Sequence, residues 1–179
     1  MMRATTALLV LGVLALPESA RAQAASVEER AVLDVIDQFM HAVTSGDNAA
    51  MARIRLEGTT TTMERPDPAG GTTIVRRPFP APPAPPAAPT AGSAPAPATA
   101  SSMRERYWDP VVHVRGRLAL VWTPYEFWRD GKTTHCGVDV FELVKQGAVW
   151  KIGNVMYTVE PDACPAMRPK DLSRVRPSP

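Results

Sequence analysis

The sequence predicts an α+β domain in which N-terminal helices pack against an antiparallel sheet. Two observations support this fold class. Apolar residues recur at helical spacing between Val32 and Val43. Farther along, turn signals at residues 115–117, 130–131 and 146–147 divide the chain into four β-rich segments, the pattern of an antiparallel meander. The length of 179 residues is enough for one domain of ordinary size.

Residues 1–22 have the pattern of a secretory signal peptide. Arg3 supplies the positive region, an apolar core follows, and Ala20-Arg21-Ala22 is a small-x-small cleavage site. The apolar run is shorter than the roughly 20 residues that a helix needs to cross a bilayer. We therefore expect export to the bacterial periplasm or the medium, with no membrane attachment after cleavage.

Residues 23–77 are predicted to form two helices and the first strands. Ser26 and Glu29 make a capping box at the start of the first helix, and Gly46 is a natural end for it. The threonine-rich segment 58–63 and the segment 72–77 are predicted to be short strands on either side of a glycine-containing turn.

Two stretches are predicted to lie outside the packed domain. Residues 78–102 are almost entirely Pro, Ala, Thr, Ser and Gly, a composition that cannot bury enough apolar surface to offset the entropy lost on ordering. We expect a disordered insert there, rather than a docking site for a proline-recognition domain. The basic, proline-spotted residues 164–179 are expected to form a flexible tail.

Residues 103–163 are predicted to complete the sheet. If Asp130-Gly131 is a two-residue hairpin loop, His135 faces Glu126 and Asp139 faces Trp122. We expect a bulge at Pro124, which is awkward in a paired strand and would shift the Glu126 pairing. Counting from the turn at 146–147 adds two further predicted pairs, His135 with Thr158 and Asp139 with Asn154.

The face that carries His135 is predicted to line a ligand pocket, because polar groups converge there among apolar ones. Its catalytic candidates are Glu126, His135 and Asp139. A Glu126–His135 pair could act as a general base, although an ordinary cross-strand pair is the more economical interpretation. The other predicted lining residues are Trp122, Phe141, Asn154, Met156, Thr158 and Phe39.

No motif indicates a metal or a cofactor. His113, His135 and Asp139 lack the spacing of known metal-binding motifs, and phosphate-binding glycine loops and dinucleotide fingerprints are absent. The formal net charge of +2 is too close to zero for a nucleic-acid binder.

The two cysteines leave two alternatives open. In an exported chain, Cys136 and Cys164 are candidates for a bridge that would close a loop of about 28 residues and contribute roughly 3 kcal/mol. A buried free thiol at Cys136 is the other interpretation.

Both faces of the strand at 118–129 are apolar, so we expect helices to cover one face and a second subunit of a homodimer to cover the other.

The order of these elements resembles the nuclear transport factor 2-like superfamily, and four runs are similar to its exported SnoaL-like or lumazine-binding-like branch. The runs occupy residues 104–110, 121–127, 135–143 and 150–152. The resemblance covers about residues 27–161. It implies a cone-shaped, curved antiparallel sheet with the N-terminal helices on its concave face, a pocket between them, and dimerisation through the outer face.

This fold hosts several kinds of function. Ketosteroid isomerase, an enzyme of the superfamily, uses a tyrosine on the first helix, where this chain has Phe39 and Met40, so that catalytic set does not transfer. We predict an exported, non-catalytic domain that binds a small apolar or aromatic ligand. The alternatives are an isomerase-, dehydratase- or hydrolase-like enzyme that uses Glu126, His135 or Asp139 as its base, and a structural dimerisation module.

Overall fold

The computed structural model describes residues 26–80 and 102–176. The predicted signal peptide and most of the predicted insert lie outside the described residues. The helices are α1 (Val27–Ser45), α2 (Asn48–Ile54) and α3 (Cys164–Met167), with a 3₁₀ turn at Leu172–Arg174. The strands are β1 (Thr59–Pro66), β2 (Thr72–Phe79), β3 (Met103–Trp108), β4 (Val111–Arg115), β5 (Leu118–Arg129), β6 (Lys132–Gln146), β7 (Val149–Thr158) and β8 (Val175–Arg176).

All eight strands belong to one curved sheet with the order β2-β1-β7-β6-β5-β3-β8, and β4 also pairs with β5. Every pairing is antiparallel except the parallel contact of β1 with β7. The β-rich segment that ends at the predicted turn at 115–117 is divided into two strands, β3 and β4. Asp109 interrupts it with a φ of 47°, a left-handed conformation that does not continue a strand.

Helix α1 packs on the concave face of the sheet. Its predicted capping box between Ser26 and Glu29 is present, and Gly46 ends the helix in the left-handed conformation with a φ of 65°. Apolar side chains of α1 at helical spacing meet inward-facing residues of β5, β6 and β7 in one core. The predicted α+β fold with helices on the concave face is thereby confirmed. Within the described residues, no helix is long and apolar enough to cross a membrane.

The pairing of β5 with β6 starts as predicted at the Asp130-Gly131 turn and then shifts by one residue. Thr134 is an extra residue on β6, and the pairing resumes with His135 opposite Phe127. The predicted bulge at Pro124 is wrong, because the pairing runs through that position without a break. The extra residue makes a β-bulge, in which two residues of one strand lie opposite one residue of its partner.

This shift puts Glu126 and His135 on opposite faces of the sheet, since side chains alternate along each strand. The predicted pairs Glu126–His135 and Asp139–Trp122 are therefore wrong. The observed pairs are Glu126 with Cys136 and Asp139 with Thr123.

The pairing of β6 with β7 also differs from the prediction. Its turn is Gly147-Ala148, because Gln146 pairs with Val149, and a second irregularity lies between Phe141 and Leu143. Asp139 consequently pairs with Tyr157 and not with Asn154. The predicted pairing of His135 with Thr158 is likewise absent, because His135 lies beyond the last regular pair of these two strands.

The segment 164–176, predicted as a flexible tail, packs against the domain. Cys164 forms a disulfide with Cys136, so the bridge is present and Cys136 is not a free thiol. Short strand β8 extends the sheet beside β3, and Arg176 pairs with Asp37 of α1 at 2.5 Å. These contacts hold the segment as a strap, a name that we use below for residues 164–176.

Candidate functional site

A cavity of about 380 Å³ lies between α1 and the concave face of the sheet. It is bounded by side chains of α1 and of β1, β2, β3, β5, β6 and β7, so the chain converges on it from almost every element. Apolar and polar groups alternate around it. The lining residues are Phe39, Val43, Thr61, Met63, Arg65, Arg77, Glu105, Tyr125, Phe127, Arg129, His135, Asp139, Val155, Tyr157 and Val159.

Two carboxyl groups form the floor of the cavity. Glu105 of β3 is 7% exposed and Asp139 of β6 is 2% exposed, and no arginine or lysine forms an ion pair with either among the described residues. Oδ2 of Asp139 is buried and accepts no hydrogen bond from an N–H or hydroxyl group of the described chain. A buried carboxyl without a cation is stable only if it holds a proton.

The pKa values of the two floor residues follow from that environment. Burial raises the pKa of Glu105 to about 7, although a hydrogen bond with Asp139 acts in the opposite sense. Burial, the negative charge of Glu105 and the hydrogen bond with Glu105 together raise the pKa of Asp139 well above 3.8. Asp139 thus holds its proton to a higher pH than an ordinary aspartate, and Glu105, with its pKa of about 7, titrates in the neutral range.

Aromatic groups form the wall next to the floor. Tyr125 is 2% exposed, and its hydroxyl donates to the carbonyl of Thr158 at 2.7 Å. Its ring meets His135 edge-on at a centroid distance of 5.6 Å, and His135 stacks on Phe127 at 5.3 Å. Burial lowers the pKa of His135, and the charge of Arg129 lowers it further, so the imidazole is neutral at pH 7.

Three arginines surround the mouth of the cavity. Arg65 of β1, Arg77 of β2 and Arg129 of β5 line the same cavity, and all three are exposed. Among the described residues, none of them forms an ion pair with a carboxylate. The cavity therefore has a floor of two carboxyl groups without counter-ions among the described residues, and a cationic mouth.

Of the three catalytic candidates, His135 and Asp139 lie in this cavity and Glu126 does not. Glu126 is fully buried on the opposite face, where it accepts hydrogen bonds from Arg106, Thr133 and Arg168. Burial alone would raise the pKa of Glu126, but the hydrogen bonds from Arg168, Thr133 and Arg106 outweigh it and lower the pKa. Glu126 is an ionised anchor for the strap and is not a base facing the cavity.

The predicted lining residues are also divided between the two faces. Phe39 lines the cavity, and Phe141 lies in the core in edge contact with Phe39. The other four follow the shifted register and line or flank the outer face. There, Trp122, Met156 and Thr158 line a shallow groove, and Asn154 links β1 to β6 through Thr60 and Glu142.

The sequence reasoning missed Glu105, Tyr125, Tyr157 and the three arginines. Glu105 shares a face with Tyr107 by strict alternation in β3, a signal that would have indicated a carboxyl on the buried face. No local pattern in the sequence marks the three arginines, because their strands β1, β2 and β5 are distant in sequence and border one cavity only in the folded sheet.

No described group of side chains offers a free metal site. Glu126, Cys136 and Cys164 place potential ligand atoms close together, but the two sulfurs are bonded to each other and the carboxylate is engaged by arginines. A metal would need free thiolates and a carboxylate without competing cations.

Solved structures share this architecture. A protein of unknown function with a cystatin-like fold from Nostoc punctiforme is 6% identical, with a TM-score of 0.52 over 76% of this chain and 95% of that chain. A function-unknown protein from Mycobacterium tuberculosis is 11% identical, with a TM-score of 0.53 over 82% of this chain and 80% of that chain. A nuclear transport factor 2-like superfamily protein from Salmonella enterica is 13% identical, with a TM-score of 0.47 over 73% and 89% of the two chains.

No protein-family model matches the chain, and no curated protein does. The chain has a cystatin-like fold, as the Nostoc punctiforme protein does.

Proposed function

We propose that the protein binds a small, largely apolar or aromatic molecule in the cavity beneath α1. The observation that carries this proposal is the cavity itself, which combines apolar walls with a few convergent polar groups in the size range of ligand sites. Phe39, Phe127 and Val155 provide apolar contact area, while Tyr157 and His135 offer polar edges. Such a mixture fixes the orientation of a ligand without requiring a large charge on it.

Thermal-shift screening of the mature chain against a metabolite library tests this function. A ligand that binds only the folded state raises the melting temperature. We expect hits with the wild type, a smaller shift with His135→Ala, and an unchanged shift with His113→Ala. His113 is the matched control, because it is an exposed histidine on β4 outside the cavity. If no compound stabilises the wild type, the structural-module alternative is favoured.

A second candidate function is proton transfer on a bound ligand. Its support is the pKa of about 7 at Glu105 next to Asp139 in the cavity, because a general base works best when its pKa is near the working pH. In this proposal Glu105 is the base, beside Asp139 and His135, and Glu126, the third candidate from the sequence, has no part in it.

Measuring whether deuterium from the solvent replaces a C–H hydrogen of a ligand found in the screen separates catalysis from binding. We expect an enzyme to exchange an acidic C–H of the ligand in D₂O, and Glu105→Gln to stop the exchange while thermal stabilisation persists. The control is Glu142→Gln, which alters an exposed carboxylate on the outer side of the sheet. A hit that stabilises the protein without any exchange or turnover leaves simple binding as the function.

We also propose that the protein is an exported homodimer. The support for the dimer is the apolar outer groove, where Ile74 is 57%, Trp122 42% and Met156 51% exposed. Light scattering after size-exclusion chromatography should give twice the chain mass for the wild type and the chain mass for Met156→Glu. A monomeric wild type at micromolar concentration excludes this dimer.

Export predicts a mature N-terminus at Gln23, which mass spectrometry of the exported protein can identify.

A further inference from the structure

We propose that the ligand of the cavity is an organic anion, with an apolar or aromatic body inside the cavity and one carboxylate, sulfate or phosphate group between Arg65, Arg77 and Arg129 at the mouth. This inference rests on the proposed binding function and adds to it the chemical class of the ligand. It follows from the distribution of charge between the two ends of the cavity.

The arginines of the mouth, unlike those of the strap, form no ion pair among the described residues, although Arg65 lies near enough to Asp67 for its charge to help lower the pKa of that carboxyl. Arg168, Arg174 and Arg176 each pair with an aspartate or glutamate of the domain. Arg65, Arg77 and Arg129 line the cavity, and none of them forms an ion pair within the described residues. Three guanidinium groups around one opening that are not held in ion pairs favour an anion, because each can offer parallel N–H donors to its oxygens.

The charge of these arginines reaches the interior of the cavity. Burial raises the pKa of Tyr157, and the positive charges of Arg77 and Arg65 act against that rise. Burial lowers the pKa of His135, and the charge of Arg129 lowers it further. A ligand lying beside Tyr157 and His135 is therefore within electrostatic range of the cationic mouth, which favours an anionic ligand over a cationic one.

The two carboxyl groups of the floor determine the orientation of the bound ligand. Asp139 is a buried carboxyl whose Oδ2 has no N–H or hydroxyl partner among the described residues, and it lines the cavity beside Glu105. A protonated carboxyl donates a hydrogen bond to a carbonyl or ether oxygen and has no positive charge with which to attract a second anion. The ligand consequently carries its anionic group at one end only and its uncharged end toward Asp139.

A matched pair of fluorescent probes tests the charge requirement directly. Anilinonaphthalene sulfonate and phenylnaphthylamine share the same aromatic body, and only the first carries a sulfonate. We expect the mature wild type to bind the sulfonate probe more tightly than the neutral probe. Arg77→Gln and Arg129→Gln should each weaken the sulfonate probe by about two- to tenfold and leave the neutral probe unchanged.

The chain supplies an internal control for the charge change. Arg76→Gln removes the same charge one residue away on β2, but Arg76 pairs with Thr62 of the outer groove and does not line the cavity. We expect it to change neither affinity. Val155→Trp, which fills the cavity, should abolish binding of both probes. If that variant does not fold, as judged by circular dichroism, Thr61→Trp fills the same cavity from β1.

The outcomes distinguish this inference from the binding function on which it rests. If filling the cavity removes both probes but Arg77→Gln and Arg129→Gln affect the two equally or not at all, the anionic class is wrong and small-molecule binding stands. If neither probe binds, or if both still bind to the filled cavity, the binding function and the ligand class fail together.

Discussion

Replacing Glu126 by glutamine tests whether this carboxylate is a structural anchor or part of a site. The side chain is fully buried, and Arg106, Thr133 and Arg168 donate hydrogen bonds to it, at 2.9 Å for Arg106 and 2.6 Å for Thr133. Glutamine keeps the size of the side chain but removes the charge. Two guanidinium groups then lose their counter-ion, and the strap loses its attachment to β5.

The expected cost lies between two limits. Losing one partner of a fully buried pair costs about 3–5 kcal/mol, whereas a fully exposed pair is worth about 0–1 kcal/mol. Because the side chains of Arg106 and Arg168 are 24% and 41% exposed, water replaces part of the lost interaction. We therefore expect the free energy of unfolding to fall by about 2–3 kcal/mol, or roughly 5–10 °C in melting temperature.

Urea unfolding followed by circular dichroism measures this cost, with Glu142→Gln as the exposed control, expected to change stability by less than about 0.5 kcal/mol. The lowered pKa of Glu126 also sets the pH dependence. Its stabilisation is present above the unfolded-state pKa near 4.5 and disappears as the pH falls through the lower folded-state value, so variant and wild type should converge in acid. If Glu126→Gln keeps the wild-type stability but no longer binds the fluorescent probes, Glu126 is not a structural anchor and belongs to the ligand site.

Three further predictions concern the same framework. The double variant Cys136→Ser/Cys164→Ser should lose about 3 kcal/mol in urea unfolding, since the bridge closes a 28-residue loop, and an unchanged midpoint would contradict this. Gly137→Ala should cost about 1–3 kcal/mol, because the new Cβ would overlap the Thr158 carbonyl and the Tyr125 ring; a wild-type melting temperature would rule that overlap out. The raised pKa of Glu105 predicts that the free energy of unfolding falls as the pH rises from about 4.5 to 7, because the folded state resists ionisation of this carboxyl. Glu105→Gln should flatten this pH dependence. If the pH dependence persists in the variant, another group causes it.

The parts of the fold that depend on local sequence could be predicted from it. The capping box at Ser26, the helix end at Gly46 and the Asp130-Gly131 turn each follow from backbone chemistry within a few residues, and all are present. The packing of 164–176 could not be predicted in this way. Its basic residues read as a solvated tail, and only the folded domain brings Glu126 and Asp37 within reach of them.

The site shows how far one residue can shift a prediction. Counting from a correct turn placed His135 beside Glu126, and the single extra residue Thr134 moved Glu126 to the other face. His135 and Asp139 kept a common face, because they are four residues apart on the same strand and no bulge separates them. Inferences within a strand therefore survived the shift, and inferences between strands did not.

The two faces of the sheet differ in how completely their polar groups are satisfied. On the outer face, the buried charge of Glu126 has two arginines and a hydroxyl, and a disulfide lies beside it. On the inner face, Asp139 is equally buried and has neither a cation nor an N–H donor among the described residues. An unsatisfied buried polar atom costs about 1–3 kcal/mol, so a fold shaped for stability alone would have filled this position with an apolar residue. This difference between the two faces is the physical reason for placing the proposed function at the inner cavity.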